Sequence, residues 1–159
     1  MKGGRSVESK RLEETVSKYE NTLYRSALAI LGDPHEAQDA VQDAFVRYLE
    51  KSPDFESAEH EKAWLLRVTV NGCKSRLRSP WRRRKVELSE GLIAPEPEER
   101  GVLEAVLALP PLDRAAVHLY YYEGYSTPEI AAMTGQREGT VRSRLTRARE
   151  KLRAFLKDD

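Results

Sequence analysis

Apolar side chains in this chain recur at three- and four-residue steps, and no stretch of useful length alternates at two. That leaves helices as the only regular element it can build. Leu12, Val16, Tyr19, Leu23, Ala27, Ile30 and Leu31 share one helical face, and Gly32 ends the run. Asp33-Pro34-His35-Glu36 then reads as an N-cap, a proline at the first helical position and a capping-box-like acid. A second helix carries Ala37, Ala40, Val41, Ala44, Phe45, Tyr48 and Leu49 on its apolar face and stops at Ser52-Pro53. Asp54 to Glu61 reads as a loop. A third helix, from about Lys62 to Arg78, turns Leu65, Leu66, Thr69, Cys73 and Leu77 inward before Ser79-Pro80 breaks it.

Composition then changes. Residues 80–97 hold Pro80, Gly91, Pro95 and Pro97 with little periodicity, and read as a linker of 18 residues. Beyond it Leu103, Val106, Leu107 and Leu109 mark a helix, and Pro110-Pro111 punctuates. Leu112 to Tyr122 continues as another helix ending near Gly124. Thr127-Pro128-Glu129 opens a short helix that Gly135 closes. A last helix from about Glu138 to Leu156 buries Val141, Leu145, Ala148, Leu152 and Leu156. The expected fold is all-α, with two small helical domains, 7–79 and 98–159, joined by a flexible linker at 80–97.

Composition narrows the function classes. The 159 residues are 40% apolar and 33% charged, which suits a globular chain and not a disordered one. No apolar run approaches the roughly 20 residues of a membrane span, and MKGGRSVESKR lacks the apolar stretch of a signal peptide. Cys73 is the single cysteine, which excludes an internal disulfide. A cytoplasmic protein that inserts into no membrane and carries no cofactor is expected.

The net charge of +1 conceals segregation. Asp33 to Glu61 holds nine acids against Arg47 and Lys51, Lys74 to Lys85 seven bases and no acid, and Arg137 to Arg153 seven bases against Glu138 and Glu150. Basic blocks of this density suit a polyanion, and an acidic block suits a different surface. Each could also be a solvated helix face, so what separates the readings is the face each charge occupies.

On the last helix the faces are informative. A short helix with small Ala131 four residues before Gly135, then a turn and a helix with inward Val141, is a helix-turn-helix pattern. Opposite its apolar side lie Thr140, Ser143 and Arg147, flanked by Arg144 and Lys151 on one edge and Arg142, Arg149 and Arg153 on the other. Short polar groups and one arginine toward base edges, with arginines reaching phosphates, are what a major-groove reader needs. Acids that would neutralise these arginines at i,i+4 are almost absent, which disfavours a merely solubilising face.

On the second helix Glu36, Asp39, Asp43 and Glu50 fall opposite the apolar stripe, with Gln42 beside them. Such a face meets water or a basic protein surface; a metal site built on Asp39, Asp43 and His35 is the weaker reading, since no inward-facing partner accompanies the carboxylates. On the third helix Trp64, Arg67, Asn71, Lys74, Ser75 and Arg78 lie opposite the apolar face. An aromatic ring with an asparagine and cations suits unstacked single-stranded bases. The competing reading of Trp64 is an edge of the core.

Four segments together resemble a known pattern. Asp39-Ala40-Val41-Gln42-Asp43-Ala44-Phe45, Ala63-Trp64-Leu65-Leu66-Arg67-Val68-Thr69-Val70-Asn71, Leu107-Ala108-Leu109-Pro110 and Gly139-Thr140-Val141-Arg142-Ser143-Arg144-Leu145 stand in the order found in bacterial RNA polymerase sigma factors of the extracytoplasmic-function type. The resemblance covers about residues 11 to 157. It implies that Asp39, Gln42, Asp43 and Phe45 bind the polymerase clamp coiled-coil, with the polymerase flap a further contact. It implies that Asn71, Trp64, Arg67 and the loop around Phe55 capture non-template bases of the −10 element, with Lys74, Arg76 and Arg78 on nearby phosphates. Thr140, Ser143 and Arg147, with Arg137, Arg142, Arg144 and Arg149, would read the −35 duplex, and the linker would thread toward the active-site channel and RNA exit path. An anti-sigma factor is the regulatory partner implied. Two alternatives stand beside it: a helix-turn-helix repressor whose N-terminal unit dimerises, disfavoured by the absence of an apolar patch on that unit, and a metal-dependent nuclease using Asp39, Asp43 and His35.

Overall fold

The structure is a computed structural model; it describes residues 2–51, 53–80 and 100–157, with side chains from Lys10 to Ala154 outside 52 and 81–103. The linker assigned to 80–97, apart from Pro80, and the side chains of Leu103 and Leu156 lie outside the described residues. The chain is helical, with α1 at Lys2–Leu31, α2 at Pro34–Lys51, α3 at Ala58–Leu77, α4 at Arg100–Leu107, α5 at Pro111–Val117, α6 at Thr127–Thr134 and α7 at Glu138–Lys157. His118–Tyr122 continues α5 as a π-helical turn.

Local chemistry sets these boundaries. Gly32 adopts φ 69°, and its N–H bonds the Leu28 carbonyl at 2.8 Å, closing α1. Asp33 Oδ1 accepts from the N–H groups of His35 (2.9 Å) and Glu36 (3.1 Å), capping α2. Ser126 and Glu129 form a reciprocal capping box at the start of α6, which holds the Glu129 carboxyl below its usual range; Gly135 at φ 65° closes the helix. The helix-turn-helix punctuation expected from Gly135 is therefore present.

Several expectations need correction. The loop expected to run to Glu61 ends at Ser57, whose hydroxyl accepts from His60 N–H at 3.1 Å and starts α3 one turn early. Leu112 to Tyr122 is not one α-helix: Glu123 N–H reaches back to the His118 carbonyl at 3.1 Å, an i→i+5 bond. Glu36, placed on the outward acidic face, is 5% exposed, whereas Leu49, placed inward, is 46% exposed. Leu107 is likewise exposed, and the burial expected there falls to Leu109 and Ala105.

The core of the first unit lies among α1, α2 and α3. Tyr19, Leu23, Ala27 and Ile30 meet Ala37, Ala40, Val41, Ala44 and Tyr48, with Leu65, Leu66, Val70 and Cys73 completing it. In the second unit Ala115, Ala116, Leu119, Ile130, Met133, Val141 and Leu145 pack together. The two cores are continuous: α1 packs on α5, and α3 on α6. Arg114, buried in α5, donates to Leu107 and Leu109 within its own unit (3.0 and 2.9 Å) and to Ala29 and Ile30 at the end of α1 (2.8 and 2.5 Å). No helix among the described residues is long and apolar enough to cross a membrane.

Candidate nucleic-acid interface

Helix α7 is anchored by Val141, Leu145 and Ala148, all buried, and by Thr127, whose hydroxyl donates to Glu138 Oε1 at 3.0 Å. That packing leaves Arg137, Arg142, Ser143, Arg147 and Arg149 exposed and Thr140 half-exposed along one face. Arg142 Nε lies 4.0 Å from Glu138, a loose i,i+4 pair that leaves the guanidinium in solvent. Arg149 donates to the Tyr121 hydroxyl and spreads over the Tyr120 and Tyr121 rings; the Tyr121 bond raises its pKa, so it stays a fixed cation.

Arg144 behaves differently. Its Nη1 contacts Asp113 Oδ1 at 2.6 Å, and the Asp113 side chain is 3% exposed. The bridge ties α7 to α5, so Arg144, expected on the DNA-facing flank, is turned toward protein. With its amide oriented to satisfy both groups, Gln136 accepts from Arg144 Nε at 3.1 Å.

On α3, Arg67, Asn71 and Arg78 are exposed as the period requires. Lys74 and Arg76 are not free: Lys74 Nζ donates to the Thr134 carbonyl at 2.7 Å, and Arg76 Nη2 contacts Asp43 Oδ2 at 2.7 Å. Arg76 thus stands at the acidic face of α2 and away from the Asn71 side. Trp64 and Phe55 are half-buried in one aromatic cluster with Tyr48, at centroid separations of 5.8 to 6.2 Å. Tyr48 is pinned by a bond to Glu61 Oε2 (3.0 Å), and Arg11 stacks on its ring while donating to the Pro53 carbonyl at 2.9 Å. The competing reading of Trp64 as a core edge holds for its inner part, and the cluster brings it beside Phe55, across a loop, as one surface.

The outward face of α2 presents Asp39, Gln42 and Asp43, all exposed. Phe45, grouped with them, instead points into the core at 8% exposure. Val46 and Leu49 are half-exposed on the acidic side, so the unit does carry an apolar patch there. Sequence reasoning missed both, although their spacing of four and seven from Gln42 puts them on its face. A shallow groove between α2 and α3 is lined by Asp43, Val46, Arg47, Val68, Gly72 and Arg76. Among the described residues no group of three or more histidine, cysteine or acidic side chains could hold a metal ion.

Comparison with known proteins accounts for this arrangement. Residues 15–83 match the sigma-70 region 2 family, and residues 99–152 match sigma-70, region 4. The chain is 33% identical to the RNA polymerase sigma-E factor of Streptomyces coelicolor over 154 residues, covering 91% of this chain and 85% of that one. It is 35% identical to the ECF RNA polymerase sigma factor SigE of Mycolicibacterium smegmatis over 157 residues; that match takes in 91% of this chain but spans only 61% of the relative's length. Its fold superposes on the sigma factor RpoE of Bartonella quintana, solved in complex with the anti-sigma factor NepR, with a TM-score of 0.73 at 29% identity, covering 94% of this chain and 99% of that one. With both sigma regions present in order, and whole-chain relatives a third identical, the chain belongs to the extracytoplasmic-function family of RNA polymerase sigma factors.

Proposed function

We propose that this chain binds core RNA polymerase and directs promoter-specific initiation by reading the −10 element with its first unit, 7–79, and the −35 element with its second, 98–159. The observation that carries the reading is the separation of charge by face: α7 offers a near-continuous cationic face, and α2 an acidic one, on a single small chain. An acidic face repels DNA and attracts a basic protein surface. Asp39, Gln42 and Asp43, with Val46 and Leu49 supplying apolar area, dock the clamp coiled-coil; the second unit meets the flap.

On the DNA side, Arg147, Ser143 and Thr140 read −35 base edges in the major groove, while Arg137, Arg142 and Arg149 hold phosphates. Asn71, Arg67 and the Trp64–Phe55 surface receive unstacked −10 bases, with Arg78 and Lys74 on adjoining phosphates. The protein makes and breaks no bond itself; polymerase does. It works in the cytoplasm, under the control of an anti-sigma factor that covers these faces. A stand-alone repressor is disfavoured because a dimer would leave the acidic face of α2 without use.

The test is to reverse Asp39 and Asp43 together, Asp39→Arg with Asp43→Arg. The variant should keep its helical circular dichroism and its melting profile while losing co-purification with core polymerase. Undiminished binding would remove α2 from the polymerase interface.

A further inference from the structure

The π-helical turn sets a row of tyrosines beside α7. Leu119 anchors the turn in the core, Tyr120 is half-buried, and Tyr121 emerges 56% exposed. The Tyr120 and Tyr121 rings meet edge to face with centroids 4.9 Å apart, and the Arg149 guanidinium lies over both, 5.7 and 5.5 Å from their centres. Arg149 Nε donates to the Tyr121 hydroxyl, and no acid among the described residues pairs with this arginine. The bond uses the N–H nearest the stem, so the terminal amino groups are left to donate outward, and the phenol keeps its own proton to donate as well. A carboxylate in the place of Tyr121 would cancel the charge of Arg149. A phenol orients the guanidinium and leaves the charge intact.

Arg149 does not share the face of Arg147. Two residues turn it about 200° around α7, onto the edge occupied by Arg142, seven residues and about 10.5 Å earlier along the axis. When the face of Thr140, Ser143 and Arg147 lies in a major groove, such an edge lies along the sugar-phosphate strand.

We propose that Tyr121 and Arg149 form one phosphate clasp, in which the Tyr121 hydroxyl and the terminal amino groups of Arg149 donate to the same backbone phosphate beside the −35 element. The inference rests on the sigma-factor reading, which puts that duplex against α7. It adds a contact from outside α7, since Tyr121 belongs to the turn before α6. Tyr121 also positions Arg149: an arginine already held on two rings and a hydroxyl loses less side-chain freedom on binding than a mobile one.

The test uses holoenzyme reconstituted from core polymerase and the full chain, with a promoter duplex recovered by run-off transcription. Tyr121→Phe keeps the ring and removes both bonds of the hydroxyl. It should weaken promoter binding roughly five- to tenfold, evenly across −35 base variants, with the melting profile of the free chain unchanged. Arg149→Ala should weaken binding too and make the slope of log affinity against log salt shallower by about 0.9, whereas Tyr121→Phe, which removes no charge, should leave the slope alone. The double variant should lose less than the product of the two single losses. Replacing one phosphate beside the −35 element with a neutral methylphosphonate should weaken the parent and spare Arg149→Ala. Parent-like binding by Tyr121→Phe, fully multiplicative losses in the double variant, or no methylphosphonate position whose effect vanishes in Arg149→Ala would overturn the clasp. A holoenzyme that selects no promoter refutes the sigma-factor reading and the clasp with it; one that selects promoters yet ignores Tyr121→Phe refutes the clasp alone.

Discussion

Arg144 and Arg147 sit three residues apart on α7, and a helical wheel places both toward DNA, but the chain commits them to different work. Arg144 neutralises Asp113, which is almost wholly buried, so Arg144→Ala strands a carboxylate in the protein. Removing one partner of a buried pair costs about 3–5 kcal/mol, and solvent access at the arginine places this case toward the lower end. Urea unfolding should register that loss, whereas Arg147→Ala should leave stability within about 0.5 kcal/mol. Arg147→Ala should instead relax preference at one −35 base pair by about 1–3 kcal/mol in binding of holoenzyme to promoter variants. Equal stability losses from both would contradict the division of labour. The partner of Arg144 lies 31 positions away in sequence, which is why periodicity alone misplaced it. Phe45 lies in the core, as its apolar spacing marks it, while Asp39, Gln42 and Asp43 of the same motif are exposed. Asp39, Asn71, Ser143 and Arg147 were legible because exposure on a helix follows directly from spacing.

Among the elements, α2, α6 and α7 could be read almost to their ends, because Gly32, Asp33, Ser126 and Gly135 carry caps that act within a few residues. The start of α3 was legible in principle from Ser57, whose N-cap signal the acidic surroundings disguised. The π-turn at His118–Tyr122 was not, since its i→i+5 bond answers to packing against α1 and not to local propensity. This turn also carries a pH dependence. Burial pushes the His118 pKa below 6.5, outweighing the neighbouring Glu123, while Arg25 of α1 adds to the depression; Ser26 faces the ring from α1, and Lys62 of α3 is paired to Glu123. An imidazole held neutral when folded takes up a proton on unfolding, so its contribution is complete above pH 6.5 and shrinks as pH falls below it. Urea midpoints should therefore drop between pH 7 and pH 5.5 more steeply in the parent than in His118→Asn. Parallel profiles would mean that His118 contributes nothing to the slope.

Across the whole molecule, the helical class and the two-unit division were legible because each unit carries its own apolar stripes, whereas the mutual placement of the units was not. Arg114 illustrates the reason: it reads as an ordinary helix cation, yet it joins four carbonyls from two units. Such a role depends on the meeting of surfaces far apart in the chain. The acidic, cationic and aromatic faces gain their meaning at this scale, since only a large machine holding melted DNA uses all three together. The most direct measurement is run-off transcription with core polymerase, the purified chain and a pool of bacterial genomic fragments. Adding the chain should create a small, discrete set of start sites, each preceded by a shared pair of elements, which disappears with Asp39→Arg plus Asp43→Arg. Start sites identical with and without the chain would contradict the sigma-factor reading.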